Sequence, residues 1–269
     1  MHQNYNMMIT TLSTSKVIDR TFSTGDLPIL VTCSDQKQYI CKYMRADSVS
    51  AYKLASELIG SFLAKYWNLN TPEIVFVKIL PEHTKPFAIQ YNHSAEAIGY
   101  QKISNAIDIA NYINDDIKQS EKLFTQLLKI ALFDFWVANE DRTCNNANML
   151  YVDRDEKLIS IDYGGIFNTN SYQAELCQLS SFDSIIYADI FKHLKTNSDF
   201  QNIVEKSKKY YDICINKSRK IFTDLETLQI PKSWNITENI LRQKINELFE
   251  KQWIDNCFSN YEKTLRQNF

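Results

Sequence analysis

The chain has 269 residues, 44% of them hydrophobic and 23% charged, a balance that fills a sizeable core and excludes wholesale disorder. Its net charge of −2 gives no global field toward nucleic acid or an anionic membrane, so neither is expected as a direct partner. The six Cys, at 33, 41, 144, 177, 214 and 257, include no Cys-x-x-Cys pair and are spaced too widely for a zinc cage or a small disulfide scaffold. No apolar run approaches the roughly 18 residues of a membrane span. The opening "MHQNYNMMITTLSTSK" lacks the basic start and apolar core of a signal peptide. Scattered thiols without an export signal point to a cytoplasmic protein.

In chain order, "PILVTCSDQKQYICKYM" (28–44) predicts two short strands joined by a polar turn. Alternation in the second strand places Ile40 and Lys42 on one face and Tyr39, Cys41 and Tyr43 on the other. Residues 48–67 predict an amphipathic helix whose stripe runs through Ala51, Leu54, Ala55, Leu58, Ile59, Phe62, Leu63 and Tyr66. Glu57 lies off that stripe, facing a cleft or water. "TPEIVFVKIL" (71–80) predicts a further strand, so the first hundred residues read as an antiparallel sheet carrying one long helix.

Residues 119–139, apolar all round in their later half, predict a buried central helix. The polar loop "NEDRTCNNANML" (139–150) follows, then two strand-like runs around the charged turn "DRDE". Beyond 172 the pattern is helical, with long helices expected over 198–225 and 236–265 and "QIPKSW" (229–234) between them. The Lys and Arg of 205–220 recur at helical spacing and read as a solvated face rather than a nucleic-acid patch. The expected fold class is α+β: a β-rich N-terminal lobe (1–100) and a mainly helical C-terminal lobe (101–269), with the boundary near 98–106.

The polar loop is where chemistry is expected. Asp141 and Asn146 stand five apart behind a buried helix, and Asp162 follows a short hairpin and precedes Tyr163-Gly164-Gly165. A hairpin of that length can return Asp162 toward Asp141 and Asn146, gathering hard oxygen ligands of the kind Mg²⁺ takes beside phosphate oxygens. Kinase-type phosphoryl transfer uses this layout: one Asp orients the acceptor hydroxyl, and an Asn and a second Asp hold metal. The N-terminal lobe offers Lys42 on a strand and Glu57 on the next helix, the pair that braces α/β-phosphates in such enzymes. "TFSTGDLP" (21–28), with Ser23, Thr24 and Gly25, is the expected phosphate cover. Arg142 is expected to tie the loop down through a carboxylate.

These pieces, "STGDLPILV", "YICKY", "SELIGSFLAKYWNLNTPE", "FDFWVANEDRTCNNANML" and "LISIDYGGIF", occur in order across 21–168 and resemble the HipA-like serine/threonine kinases. The resemblance implies a bilobal kinase fold and dependence on ATP and Mg²⁺. It implies Lys42 on phosphate, Glu57 as its partner, Asp141 as catalytic base, and Asn146 and Asp162 as metal ligands. A protein with a Ser or Thr acceptor is the implied substrate, and an antitoxin-like protein the implied regulatory partner. Ser23 and Thr24 stand where such kinases can carry a silencing autophosphorylation. Two departures are visible: Thr143 replaces the His that often follows Asp-Arg, and the phosphate loop is poor in Gly. Two alternatives stay open: a small-molecule or lipid kinase of the same fold, and an ATP-binding pseudokinase acting as a regulatory module.

Overall fold

Alternation in 28–44 produces β3 (Ile29–Thr32) and β4 (Gln38–Lys42), paired antiparallel with Ile29 opposite Cys41. The structure, a computed structural model, describes residues 9–23, 25–45, 49–87, 91–111, 117–222 and 230–269. With β1 (Thr11–Ser13), β2 (Arg20–Thr21), β5 (Ile74–Lys78) and β6 (Ala97–Gln101), the hairpin belongs to a six-stranded sheet of order β1-β5-β6-β4-β3-β2. Its pairs are antiparallel except β1 with β5, which run parallel, a correction to the wholly antiparallel sheet expected. Three residues are too few for a two-residue period to announce β1.

Both faces of this sheet are covered. Ile29, Val31, Tyr39, Cys41, Tyr43 and Val77 form a cluster on one side. Ile74, Phe76, Ile98 and Tyr100 join the main core with α1 (Val49–Tyr66) on the other. Lys42 lies opposite Ile98, and so on the α1 side.

The apolar stripe expected of α1 is only part of what it buries. Every residue from 54 to 64 is buried, including Ser56, Glu57 and Ser61. The helix runs between the sheet and the second lobe, so the face that looked polar packs too. Ser56 Oγ lies 2.6 Å from Tyr172 Oη, and Trp67 Nε1 donates to Ser218 Oγ at 3.2 Å.

After the short α2 (Pro81–Thr84), the second lobe is built on α3 (Glu121–Val137), capped by Ser120, whose hydroxyl accepts the Leu123 N–H. Trp136 of α3 stacks on Trp67 with ring centroids 5.0 Å apart, locking the lobes together. β7 (Ile107–Asp108), β8 (Met149–Val152) and β9 (Lys157–Ser160) form a small antiparallel sheet behind the polar loop. Then follow α4 (Ile166–Asn170), α5 (Asp189–Leu194), α6 (Phe200–Phe222), α7 (Glu238–Glu247) and α8 (Lys251–Arg266). Lys206, Lys208 and Lys209 of α6 are exposed, as a solvated face requires.

The single helix expected over 236–265 is instead two, broken at 248–250. Leu248 is buried and its carbonyl accepts the Trp136 Nε1–H, while Trp253 Nε1 donates to the Trp136 carbonyl. Tertiary bonds to one Trp decide the break, and no Gly or Pro marks it.

Candidate active site

At the end of β4, Lys42 points into the interface between the lobes. Its ammonium pairs with Glu57 Oε1 of α1 and with Asp162 Oδ1 at 2.5 Å. The other Glu57 oxygen accepts the Tyr100 hydroxyl at 2.5 Å and the Tyr163 backbone N–H at 2.9 Å. Glu57 therefore opens onto neither cleft nor water; it is fully buried with both oxygens engaged. Burial works against charge on Lys42, but the Glu57 and Asp162 carboxylates outweigh it and hold the ammonium above its ordinary range. Burial likewise pushes Asp162 up, yet Lys42 foremost holds its carboxyl well below the usual range. For Glu57 burial prevails over Lys42, with the nearby Asp162 adding to the upward push.

Asp162 sits just past β9 with φ +59°, a left-handed conformation that an L residue adopts only when its surroundings impose it. The Gly164 N–H donates to Asp162 Oδ1 at 3.3 Å, and the Glu57 bond fixes the next peptide. Gly165 is required by close approach: a Cβ there would lie 2.4 Å from Asp141 Cβ and 2.9 Å from the Asp141 nitrogen.

The polar loop begins where α3 ends in a left-handed Ala138. Asn139 spans its entry, donating from Nδ2 to Asp134 Oδ1 and accepting the Asp141 N–H. Arg142 is buried, as its expected tie to a carboxylate requires. It pairs with Asp134 of α3, donates from Nη2 to the Ile161 carbonyl at 2.7 Å, and lies over the Tyr163 ring. Burial pushes the Asp134 carboxyl up to about 6, with Arg142 opposing. The Thr143 hydroxyl accepts the Asn145 and Asn146 N–H groups, each at 3.2 Å, so the residue replacing His has a definite task in shaping the loop. Asn146 Nδ2 donates to Asp141 Oδ1 at 3.0 Å and Asn148 Nδ2 to Oδ2 at 3.2 Å, fixing the carboxylate from both sides.

The two loops run side by side. Ile161 N–H donates to the Asn148 carbonyl at 3.0 Å, Arg142 holds the Ile161 carbonyl, and Gly165 lies against Asp141. Thus Lys42, Glu57 and Asp162 are brought into contact, as are Asp141 and Asn146. Among the described contacts none joins the Asp162 carboxylate directly to Asp141 or Asn146. Beyond Gly165 the chain makes a left-handed turn through Phe167, Asn168 and Thr169, held by the Glu140 carboxylate, which accepts from Asn168 Nδ2 and Thr169 Oγ1 at 2.9 Å each.

Of the residues expected to cover phosphate, Ser23 is exposed, Gly25 takes φ +41° at the turn, and Thr24 lies outside the described residues. The sequence reading passed over their neighbour Asp26, whose carboxylate meets Lys53 of α1 at 2.7 Å and Lys42 at 3.6 Å. It also passed over Lys53 itself, Tyr100 and Asp134. Lys53 had a signal, since it stands one helical turn before Glu57 on the same side of α1. A cavity of about 990 Å³ opens elsewhere, lined by Leu12, Tyr39, Phe62, Tyr66 and Val75 among others, and includes none of these charged groups.

A sequence model of the HipA-like kinases matches residues 15–264. The chain belongs to the HipA-like kinase family. Membership in this kinase family carries phosphotransferase chemistry, and its members generally use ATP and Mg²⁺. This HipA-like kinase is similar in fold to the crystal structure of the Helicobacter pylori proinflammatory kinase CtkA. The TM-score is 0.57 at 12% identity, over 94% of this chain and 99% of that one. No curated protein matches the sequence. The donor set of this HipA-like kinase fits a hard divalent ion. Asp162 is a partly exposed carboxylate, and the Asn146 amide, turned by its Nδ2 toward Asp141, has an oxygen that accepts no bond from the described residues. Among the described residues no helix is long and apolar enough to cross a membrane, and all six Cys are free.

Proposed function

We propose that the chain transfers the γ-phosphoryl group of ATP, in the presence of Mg²⁺, to a Ser or Thr hydroxyl of a protein. The observation that carries this reading is the preformed Lys42–Glu57–Asp162 ion cluster set beside the Asp141–Asn146 loop. Lys42 is the phosphate-facing cation, and Glu57 holds it through a contact that the Tyr100 hydroxyl and Tyr163 N–H keep in register. Asn146 and Asp162 would hold the metal, which when bound neutralises charge on the phosphates. Asp141, steadied by two Asn amides, is placed to accept the proton of the attacking hydroxyl. In a loose transition state such positioning and charge neutralisation supply most of the acceleration. Ser23, exposed on the loop, is available as a site of autophosphorylation, and the family resemblance supports an antitoxin-like regulatory partner.

Incubation with γ-labelled ATP and Mg²⁺, in parallel with lysate proteins, small hydroxyl compounds and lipids, tests the reading. Label mapped to Ser or Thr of proteins is expected. Label confined to small molecules or lipids would reassign the acceptor, and ATP binding without transfer to any acceptor would make the chain a pseudokinase.

A further inference from the structure

The ion cluster contains a second cation that the proposed reaction has not used. Lys53 lies on α1 four residues before Glu57, its side chain one-third exposed. Its stem crosses directly over Gly164, where a Cβ would come within 2.7 Å of Lys53 Cε. The missing side chain at 164 is therefore the space through which Lys53 reaches the front of the site. What it meets there is Asp26, from the phosphate-cover turn, at 2.7 Å; the other oxygen of the same carboxylate lies 3.6 Å from Lys42. One carboxylate thus bridges the two ammonium groups that face the mouth of the site.

An anionic group held between two cations on the phosphate side of a kinase cleft stands where a phosphate would stand. The charges agree: Lys42 and Lys53 face Asp26, Glu57 and Asp162, and of the three carboxylates only Asp26 comes from the phosphate-cover turn. Glu57 is fully buried, and Asp162 is held by Lys42 at 2.5 Å and by the Gly164 N–H, whereas the partly exposed Asp26 stands 3.6 Å from Lys42 and can turn out to water at small cost.

We infer that Lys53 is a second phosphate-binding residue of this chain, and that Asp26 occupies its anion position until a nucleotide polyphosphate displaces it. The inference rests on the kinase reading and deepens it. Nucleotide binding exchanges one anion for another at Lys53 and Lys42, so Asp26 is a competitor built into the turn.

The test is equilibrium binding of ATP and of adenosine to the whole chain with Mg²⁺ present, for the wild type, Lys53→Ala, Asp26→Asn and the double variant. Thermal unfolding of each confirms the fold. For ATP, Lys53→Ala is expected to weaken binding about 3- to 5-fold and Asp26→Asn to tighten it about 2- to 5-fold, the range of one partly exposed charge contact. The gain from Asp26→Asn should shrink in the Lys53→Ala background, and adenosine, which carries no phosphate, should respond to neither change. Weaker ATP binding by Asp26→Asn would mean that the pair merely clamps the turn and would overturn the inference. Equal effects on ATP and adenosine, or no effect of Lys53→Ala, would do the same. These results leave the kinase reading standing, because they presuppose wild-type binding. Failure of the wild type to bind ATP at all would overturn the reading and the inference together.

Discussion

The ion cluster around Lys42 and the loop around Asp141 adjoin each other but are stabilised in opposite ways. In the cluster the proposed functional groups compensate one another: Lys42 is the shared counter-ion of Glu57 and Asp162, and removing it leaves two neighbouring carboxylates without the cation between them. In the loop the proposed functional group is held by others, since Arg142, Asp134, Asn139 and Thr143 carry the architecture while the Asp141 carboxylate only accepts hydrogen bonds. Function and stability should therefore be inseparable in the first region and separable in the second.

The largest break comes at Lys42. Lys42→Met leaves the fully buried Glu57 without its cation and is expected to cost about 3–5 kcal/mol in urea unfolding. Adding Glu57→Gln, which still accepts from Tyr100 and Tyr163, should recover part of that loss. If the double variant is as unstable as the sum of the singles, the two groups do not compensate each other.

Asp162→Asn comes next. It keeps the shape but removes the charge that faces Lys42, and phosphoryl transfer should fall by at least about 10²–10³-fold. A Mg²⁺ titration of transfer should show the metal requirement displaced to higher concentration. Wild-type rates at ordinary Mg²⁺ would remove Asp162 from the site.

Asp134 sharpens the contrast through pH. Burial raises its carboxyl from 3.8 to about 6, so the native chain binds this proton more tightly than the unfolded one. Its contribution therefore favours the native state at low pH and declines as pH rises from about 4 to about 6, by on the order of 2–3 kcal/mol. Asp134→Asn lacks that titration, so the stability advantage of the wild type over it should shrink across this window and level off above. A difference that is flat with pH would show that the carboxyl titrates normally.

The smallest effect is expected where the two regions touch. Gly165→Ala places a methyl against Asp141 and should cost about 1–3 kcal/mol, with a drop in transfer rate beyond any change in nucleotide affinity. Unchanged transfer would show that the two loops are not held in register at this contact.

Much of this was legible in the sequence, for identifiable reasons. Period-two alternation put Lys42 on the face of its strand opposite Tyr39, Cys41 and Tyr43, the face that α1 covers, and the order of helix, polar loop, hairpin and Asp162 is the order found in the fold. The stripe rule misjudged Glu57 because it assumes a helix with one buried face, whereas α1 is packed on both. Asp134 was invisible as a partner because it stands eight positions before Arg142, across the helix end and loop, and only the reversal at Ala138 brings them together. Asp26 and Lys53 were passed over because the phosphate turn was read for glycines and hydroxyls, so its carboxylate carried no meaning until its two cations were in place. The break at 248–250 and the parallel β1 depend on tertiary bonds that no local pattern encodes.

The division of labour between cluster and loop is tested most directly at one residue. Purified Asp141→Ala protein, shown by circular dichroism and thermal unfolding to be folded, should bind ATP with Mg²⁺ like the wild type yet transfer the labelled γ-phosphoryl group about 10²–10⁴-fold more slowly. Transfer at the wild-type rate by that folded variant would contradict the assignment of the polar loop to phosphoryl chemistry.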